Sequence, residues 1–248
     1  MGLPRQFTLP RNDDFCFVYA LYSILHTLYL VNEILYFAIA KKEYSITYEI
    51  LYFAADKKGH PINMRFFIAL EIPEESKQEL EMVQNKIKEL VPNFKPSFPD
   101  KLHLTIAFVG NEPESLKERL VDLLSSAAEG ISGFRVTPAY IDGFPHLHTA
   151  DILWIGVKGD IDRLYIIQHR IKDGLADLRL SVDERRFVPH IALGKVTDFS
   201  LSGYQEREFE KLELKSYKPI AVNSIKLFES IPNQGFHEHN TLAEIKLG

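Results

Sequence analysis

Apolar and polar positions alternate with period two over residues 101–109 and again over 187–195, the pattern of a strand with one buried face. In the first stretch Leu102, Leu104, Ile106 and Phe108 share a face, which leaves His103 and Thr105 on the other. In the second, Ile191 and Leu193 point one way while His190, Ala192 and Gly194 point the other. Each strand therefore offers one imidazole followed two residues later by a small side chain. Around them the chain alternates. Residues 65–72 read as a strand, and Pro73, Glu74 and Glu75 open a helix striped by Leu80, Val83, Ile87 and Leu90. Asn111-Glu-Pro is expected to start a second helix, with Leu116, Leu120 and Leu123 or Leu124 facing inward, ending near Gly130. Strands are expected at 134–141 and 152–157, and a third helix on Ile161, Leu164, Ile171, Leu175 and Leu178. After the second histidine strand comes a polar segment to Glu210, then strands at 221–229 and 241–247.

The order strand, helix, histidine strand occurs twice, over 64–109 and 152–196, which suggests two lobes related by a pseudo-twofold. Hairpin-like spacing late in the chain argues against a single parallel sheet. The expected fold is α+β and bilobal, with two antiparallel sheets flanked by helices around a central cleft.

Residues 1–63 do not share this pattern and stand apart from a domain at 64–248. Residues 15–40 are nearly continuously apolar and long enough to span a bilayer as a helix, with Glu33 as the objection. The hexapeptide at 33–38 recurs unchanged at 49–54, each copy followed by a Lys-Lys pair. Three readings stand: a translation start assigned too early, with Met64 as the true start; a membrane anchor; or an accessory helical hairpin. A cytoplasmic domain is expected, membrane-anchored only if 15–40 is a real translated span.

Composition narrows the chemistry. At 46% hydrophobic residues the chain can bury a substantial core, and a single cysteine, Cys16, excludes an internal disulfide and a cysteine-based metal site. From Met64 onward 23 basic side chains face 28 acidic ones, the wrong balance for wrapping a long nucleic acid. An RNA substrate would be gripped at a terminus.

Two imidazoles facing one cleft can divide acid and base work near neutral pH. Thr105 can donate to a phosphoryl oxygen; Ala192, at the matching place, cannot. Lys195 and Arg185, with Arg186 beside it, can supply positive charge to an anion. The pairs His146/His148 and His237/His239 lack an acidic partner at a recognisable spacing, so they are read as loop or edge-strand surface. Phe66 and Trp154 are read as core.

His103-x-Thr105 and His190-x-Ala192, with Pro189 before the second histidine, resemble the paired His-x-Thr/Ser motifs of the 2H phosphoesterase superfamily. The closer likeness is to the RNA 2′,3′-cyclic phosphodiesterase, or LigT-like, branch. It rests also on the sequences at 65–70, 152–157, 184–195 and 225–230, and leaves 1–63 unmatched. The resemblance implies hydrolysis of a 2′,3′-cyclic phosphate, on an RNA 3′ end or a small nucleotide, to a 2′-phosphate without metal or cofactor. Some members also join tRNA halves. It implies catalysis by His103 and His190, with His190 activating water and His103 protonating the departing 3′ oxygen, or the reverse. Thr105, Lys195 and Arg185 would bind phosphate or substrate. A monomer without a stable protein partner is expected. Because Ala192 replaces the second threonine, the alternative is a nucleotide or RNA-end binding module without turnover.

Overall fold

The computed structural model describes residues 63–213, 216–233 and 236–248. The apolar span and the repeat fall within residues 1–62, outside this range, whereas Met64, the alternative start, lies within it. The strands are β1 (Asn63–Glu71), β2 (Lys95–Pro96), β3 (His103–Pro113), β4 (Phe134–Phe144), β5 (Ile152–Gly159), β6 (His190–Lys195), β7 (Ile220–Val222), β8 (Ser224–Asn233) and β9 (Phe236–Lys246). The helices are α1 (Glu74–Leu90), α2 (Lys117–Ala128), α3 (Ile161–Asp177) and α4 (Gly203–Glu213).

All strand pairings are antiparallel, and the order is β7-β4-β5-β6-β3-β1-β8-β9, with β2 added to β6. Two four-stranded halves, β7-β4-β5-β6 and β9-β8-β1-β3, meet at the centre through one register pair, Leu104 with Ile191. In each half the histidine strand lies beside the strand that precedes it by one helix: β1, α1, β3 on one side and β5, α3, β6 on the other. The expected α+β architecture with a pseudo-twofold arrangement of antiparallel sheets is present, its two ladders joined by that single pair.

One face of the sheet holds the core. Phe66, Ile68, Leu70, Leu104, Ile106, Ile155, Ile191 and Leu193 are buried against the helix stripes Leu80-Val83-Ile87, Leu120-Leu124 and Leu164-Ile171-Leu175. Burying each such side chain contributes about 1.5–3 kcal/mol. The other face carries a separate small cluster of Phe67, Ala69 and Phe228 in one half and the packed rings of Trp154, Phe144 and Tyr140 in the other. Polar links tie the halves together as well. Gln84 of α1, 2% exposed, donates to the carbonyls of Ser97 (2.9 Å) and of Leu193 in β6 (2.7 Å). Gly194 lets β2 approach: a Cβ there would stand 2.4 Å from the Lys95 carbonyl oxygen.

Four expectations need correction. Residues 111–113 extend β3, because they pair with Asn63, Met64 and Arg65, and the second helix begins only at Lys117. Phe108 leaves the apolar face and is 60% exposed, since irregularities in the β1–β3 register shift the alternation so that Val109 is buried in its place. The polar segment before Glu210 contains α4, a helix whose one fully buried side chain, Phe209, is too sparse a stripe to read from sequence. The strand expected over 221–229 is two, β7 ending at Val222 and β8 beginning at Ser224.

Candidate active site

The central pair Leu104–Ile191 turns its side chains into the core, at 1% and 0% exposure. Strand alternation then sends the flanking residues, His103 and Thr105 on β3 and His190 and Ala192 on β6, to the open face. Stepping one residue along each antiparallel strand sets His103 across from Ala192 and Thr105 across from His190. The histidines are thus diagonal neighbours on one face, a relation that corresponds to about 7–8 Å between backbones.

Both rings are fixed in the same way. His103 Nδ1 lies 2.7 Å from the Lys101 carbonyl oxygen and His190 Nδ1 lies 2.7 Å from the Val188 carbonyl oxygen, in each case two residues upstream. A carbonyl only accepts, so each Nδ1 carries the hydrogen and each Nε2 of the neutral ring keeps its lone pair. Both are half-buried among aromatic rings. His103 packs on Phe67 (5.1 Å between centroids), and His190 on Phe144 (4.9 Å) and Trp154 (5.4 Å). Burial lowers the pKa of both below the usual histidine value, opposed by the carbonyl hydrogen bond. His103 is lowered further by repulsion from His190.

The other sequence candidates fall as follows. Thr105 is half-buried on the same face, and Ala192 leaves the equivalent place on β6 without a hydroxyl. Lys195 is exposed at the end of β6, in register with Ile152 and Lys95. Arg185 is exposed and held by Asp183, with Nε 2.9 Å from Oδ1 and a terminal nitrogen 2.6 Å from Oδ2; this fork pulls the Asp183 carboxyl down to about 2. It is Arg186, with Tyr140, Asp142, Phe144, Trp154 and Val188, that lines a cavity of about 350 Å³ next to His190.

Two further residues, expected as core and as loop or edge-strand surface, stand beside these histidines. Trp154 is 3% exposed but does not belong to the main core; it is in register with Ala192, against His190, and its indole N–H is buried without a hydrogen-bond partner. His239, on edge strand β9, places its ring 5.2 Å from His103 and 4.9 Å from Phe67. Burial and its neighbours, His103 first, push its pKa down to about 4. Nothing in the spacing of residues 237–239 marks this proximity, because it depends on β9 lying beyond β8 and β1 in the same half-sheet. Lys226, in register with Ala69 and paired with the Glu71 carboxylate, adds a cation near Thr105. Among the described residues no three His, Cys, Asp or Glu side chains are grouped as metal ligands, and His146 lies instead beside the Thr149 hydroxyl at 3.0 Å.

Comparison with known proteins identifies the family and the fold. The model of the 2′-5′ RNA ligase superfamily matches residues 85–230. A protein of Methanocaldococcus jannaschii named RNA 2′,3′-cyclic phosphodiesterase is 30% identical over 179 residues, spanning 71% of this chain and 97% of its own length. One of the same name from Thermotoga maritima is 28% identical over 170 residues, 67% of this chain and 87% of its own. Among solved structures, a Thermus thermophilus protein superposes with a TM-score of 0.61 at 21% identity, covering 74% of this chain and 98% of its own. E. coli LigT complexed with 3′-AMP superposes with a TM-score of 0.59 at 21% identity, covering 75% and 99%. A central histidine pair on a bilobal antiparallel sheet, matched by sequence over more than half its length, makes this chain a member of the 2′-5′ RNA ligase superfamily, in its LigT-like, 2H phosphoesterase branch.

Proposed function

We propose that this protein hydrolyses the 2′,3′-cyclic phosphate at an RNA 3′ end, or in a small nucleotide, to a 2′-phosphate, without a metal ion. One observation carries the reading: two imidazoles on the adjacent central strands, each locked by a carbonyl two residues upstream so that Nε2 alone is left for proton transfer. One Nε2 takes a proton from water as its oxygen attacks phosphorus. The other gives a proton to the 3′ oxygen as the P–O3′ bond breaks. Thr105 donates to a non-bridging oxygen, with Lys226, two strands away in the same register, as positive charge, and Lys195 offers a further cation at the far end of β6.

Burial opposes a proton on either ring, and the repulsion between two charged rings is mutual, so the pair carries a second proton less readily than the first. One ring then acts as base and the other as acid: His190 activates water and His103 protonates the departing 3′ oxygen, the order that the family resemblance gives first. The mildly acidic domain suits an enzyme that holds a terminus and works as a cytoplasmic monomer.

The reading is tested by incubating the protein with a 2′,3′-cyclic nucleotide in EDTA and resolving the products by chromatography. A 2′-phosphate product, lost in His103→Ala and in His190→Ala, is expected. Turnover abolished by EDTA contradicts it. The second reading, binding without turnover, is favoured by Ala192. Absence of one transition-state donor costs about 10²–10³ in rate, a loss that slows an enzyme of this kind without extinguishing it.

A further inference from the structure

We propose that the open face of β1 and β3 beyond Thr105 is a track for an RNA strand: the nucleotide on the 5′ side of the one bearing the cyclic phosphate stacks its base on Phe108, and Arg65 meets its phosphate. The inference rests on the reading above for where the cyclic phosphate lies, and adds that the substrate is the end of a chain.

Phe108 is the residue in need of a partner. Plain alternation along β3 would bury it with Leu104 and Ile106. Two irregularities in the β1–β3 register, at Phe66/Phe67 and at Ile68/Ala69, instead turn it to the open face, opposite Phe67. Bulges beside sites serve to re-aim a side chain in this way. The phenyl ring is left 60% exposed and belongs to neither cluster of buried residues. It is nevertheless held in place. Its centroid lies 6.2 Å from that of Phe67, which is buried and stacked on Phe228 at 5.0 Å. An aromatic ring backed by a buried pair and open to solvent is a stacking platform, and such a platform accepts any base.

The platform is in line with the phosphate site. Thr105 is in register with Ala69 and Phe108 with Phe67, so the two side chains follow one another along one face, at most about 10 Å apart for three residues of strand. Arg65 continues the line. It alternates with the core residue Phe66 and so shares the open face with Phe67, and it is in register with Asn111, an exposed amide beyond Phe108. Lys226, the cation nearer Thr105, is paired with the Glu71 carboxylate. Arg65 is exposed and has no ion pair or side-chain hydrogen bond among the described residues, so its guanidinium is available to grip a phosphate through two oxygens. A track of this length suits a domain with more acidic than basic side chains, whose balance is wrong for holding a long strand.

The experiment uses two products, so that no turnover is needed. A ribotrinucleotide ending in a 2′-phosphate and the matching nucleoside 2′-monophosphate are each titrated into the full-length protein by calorimetry. The trinucleotide should bind at least tenfold more tightly. Phe108→Ala should remove most of that advantage and Phe108→Trp should keep it, with the mononucleotide held within twofold in both; the position is exposed, so neither change disturbs the core. Arg65→Gln should weaken the trinucleotide alone and flatten its dependence of log affinity on log salt by about 0.7, the amount for one phosphate contact on a single strand. Equal affinity for the two ligands, or a loss in Phe108→Ala shared equally by both, overturns the track. If a cyclic mononucleotide is still hydrolysed in that case, the hydrolase reading stands without the track. A trinucleotide preference that disappears in Phe108→Ala, in a protein that hydrolyses no cyclic phosphate, upholds the track and removes the hydrolase.

Discussion

Ala192 is the residue whose replacement says most about the site. Its neighbours on the open face are His190 and, in register on β5, Trp154. Ala192→Thr should supply a donor diagonal to Thr105 and raise kcat on a cyclic nucleotide by about tenfold or more, given the 10²–10³ that such a donor is worth. Unchanged or lower kcat in steady-state assays would mean that Trp154 has taken the space a hydroxyl needs. His239 gives a pH effect of defined sign. The unfolded chain takes up a proton at this residue near the ordinary value of 6.5, whereas the folded chain resists until about 4. Between those values the unfolded state binds more protons, so stability falls as pH is lowered from about 6.5 to about 4. Melting temperatures measured over that window should drop less steeply in His239→Gln. The histidines at 103 and 190 were legible in sequence because each sits in a clean period-two strand. His239 was not, since what brings it to His103 is the order of strands across a half-sheet.

At the scale of elements, α1 and β6 are coupled by one buried amide. Gln84 is the main buried polar side chain of α1 that reaches the opposite half, donating to Ser97 and Leu193. Gln84→Leu removes both bonds and leaves the Ser97 carbonyl short of a partner, a loss of roughly 1–3 kcal/mol. Urea unfolding should show a lower midpoint with an unchanged slope. An unchanged midpoint would mean that water serves these carbonyls equally well. Helices with regular stripes, such as Leu80-Val83-Ile87, were readable from spacing because the buried residues recur every three or four positions. The helix α4 was not, because Phe209 alone is fully buried and the remainder meets solvent. The bulged register of β3 escaped for another reason: a one-residue slip reverses every later side chain, and nothing local in 106–109 announces it.

Across the whole molecule, the doubled strand-helix-strand pattern foretold two related halves, and the antiparallel character followed from short late turns. The joint between the halves, a single pair at Leu104 and Ile191, has no sequence signal of its own. The proposed function depends on that joint, since it sets two imidazoles diagonally on one face with their tautomers fixed by equivalent carbonyls. The most direct measurement of the division of labour uses a 2′,3′-cyclic nucleotide whose 3′ bridging oxygen is replaced by sulfur. A thiolate leaves without protonation, so a variant lacking the acid recovers on this substrate and a variant lacking the base does not. Relative to the oxygen substrate, where each histidine contributes about 10²–10⁴-fold, His103→Ala should regain most of its lost rate on the sulfur substrate, with His190→Ala remaining slow. Recovery of His190→Ala alone would reverse the two roles. Equal and near-normal rates of both variants on the oxygen substrate would contradict the two-histidine account itself.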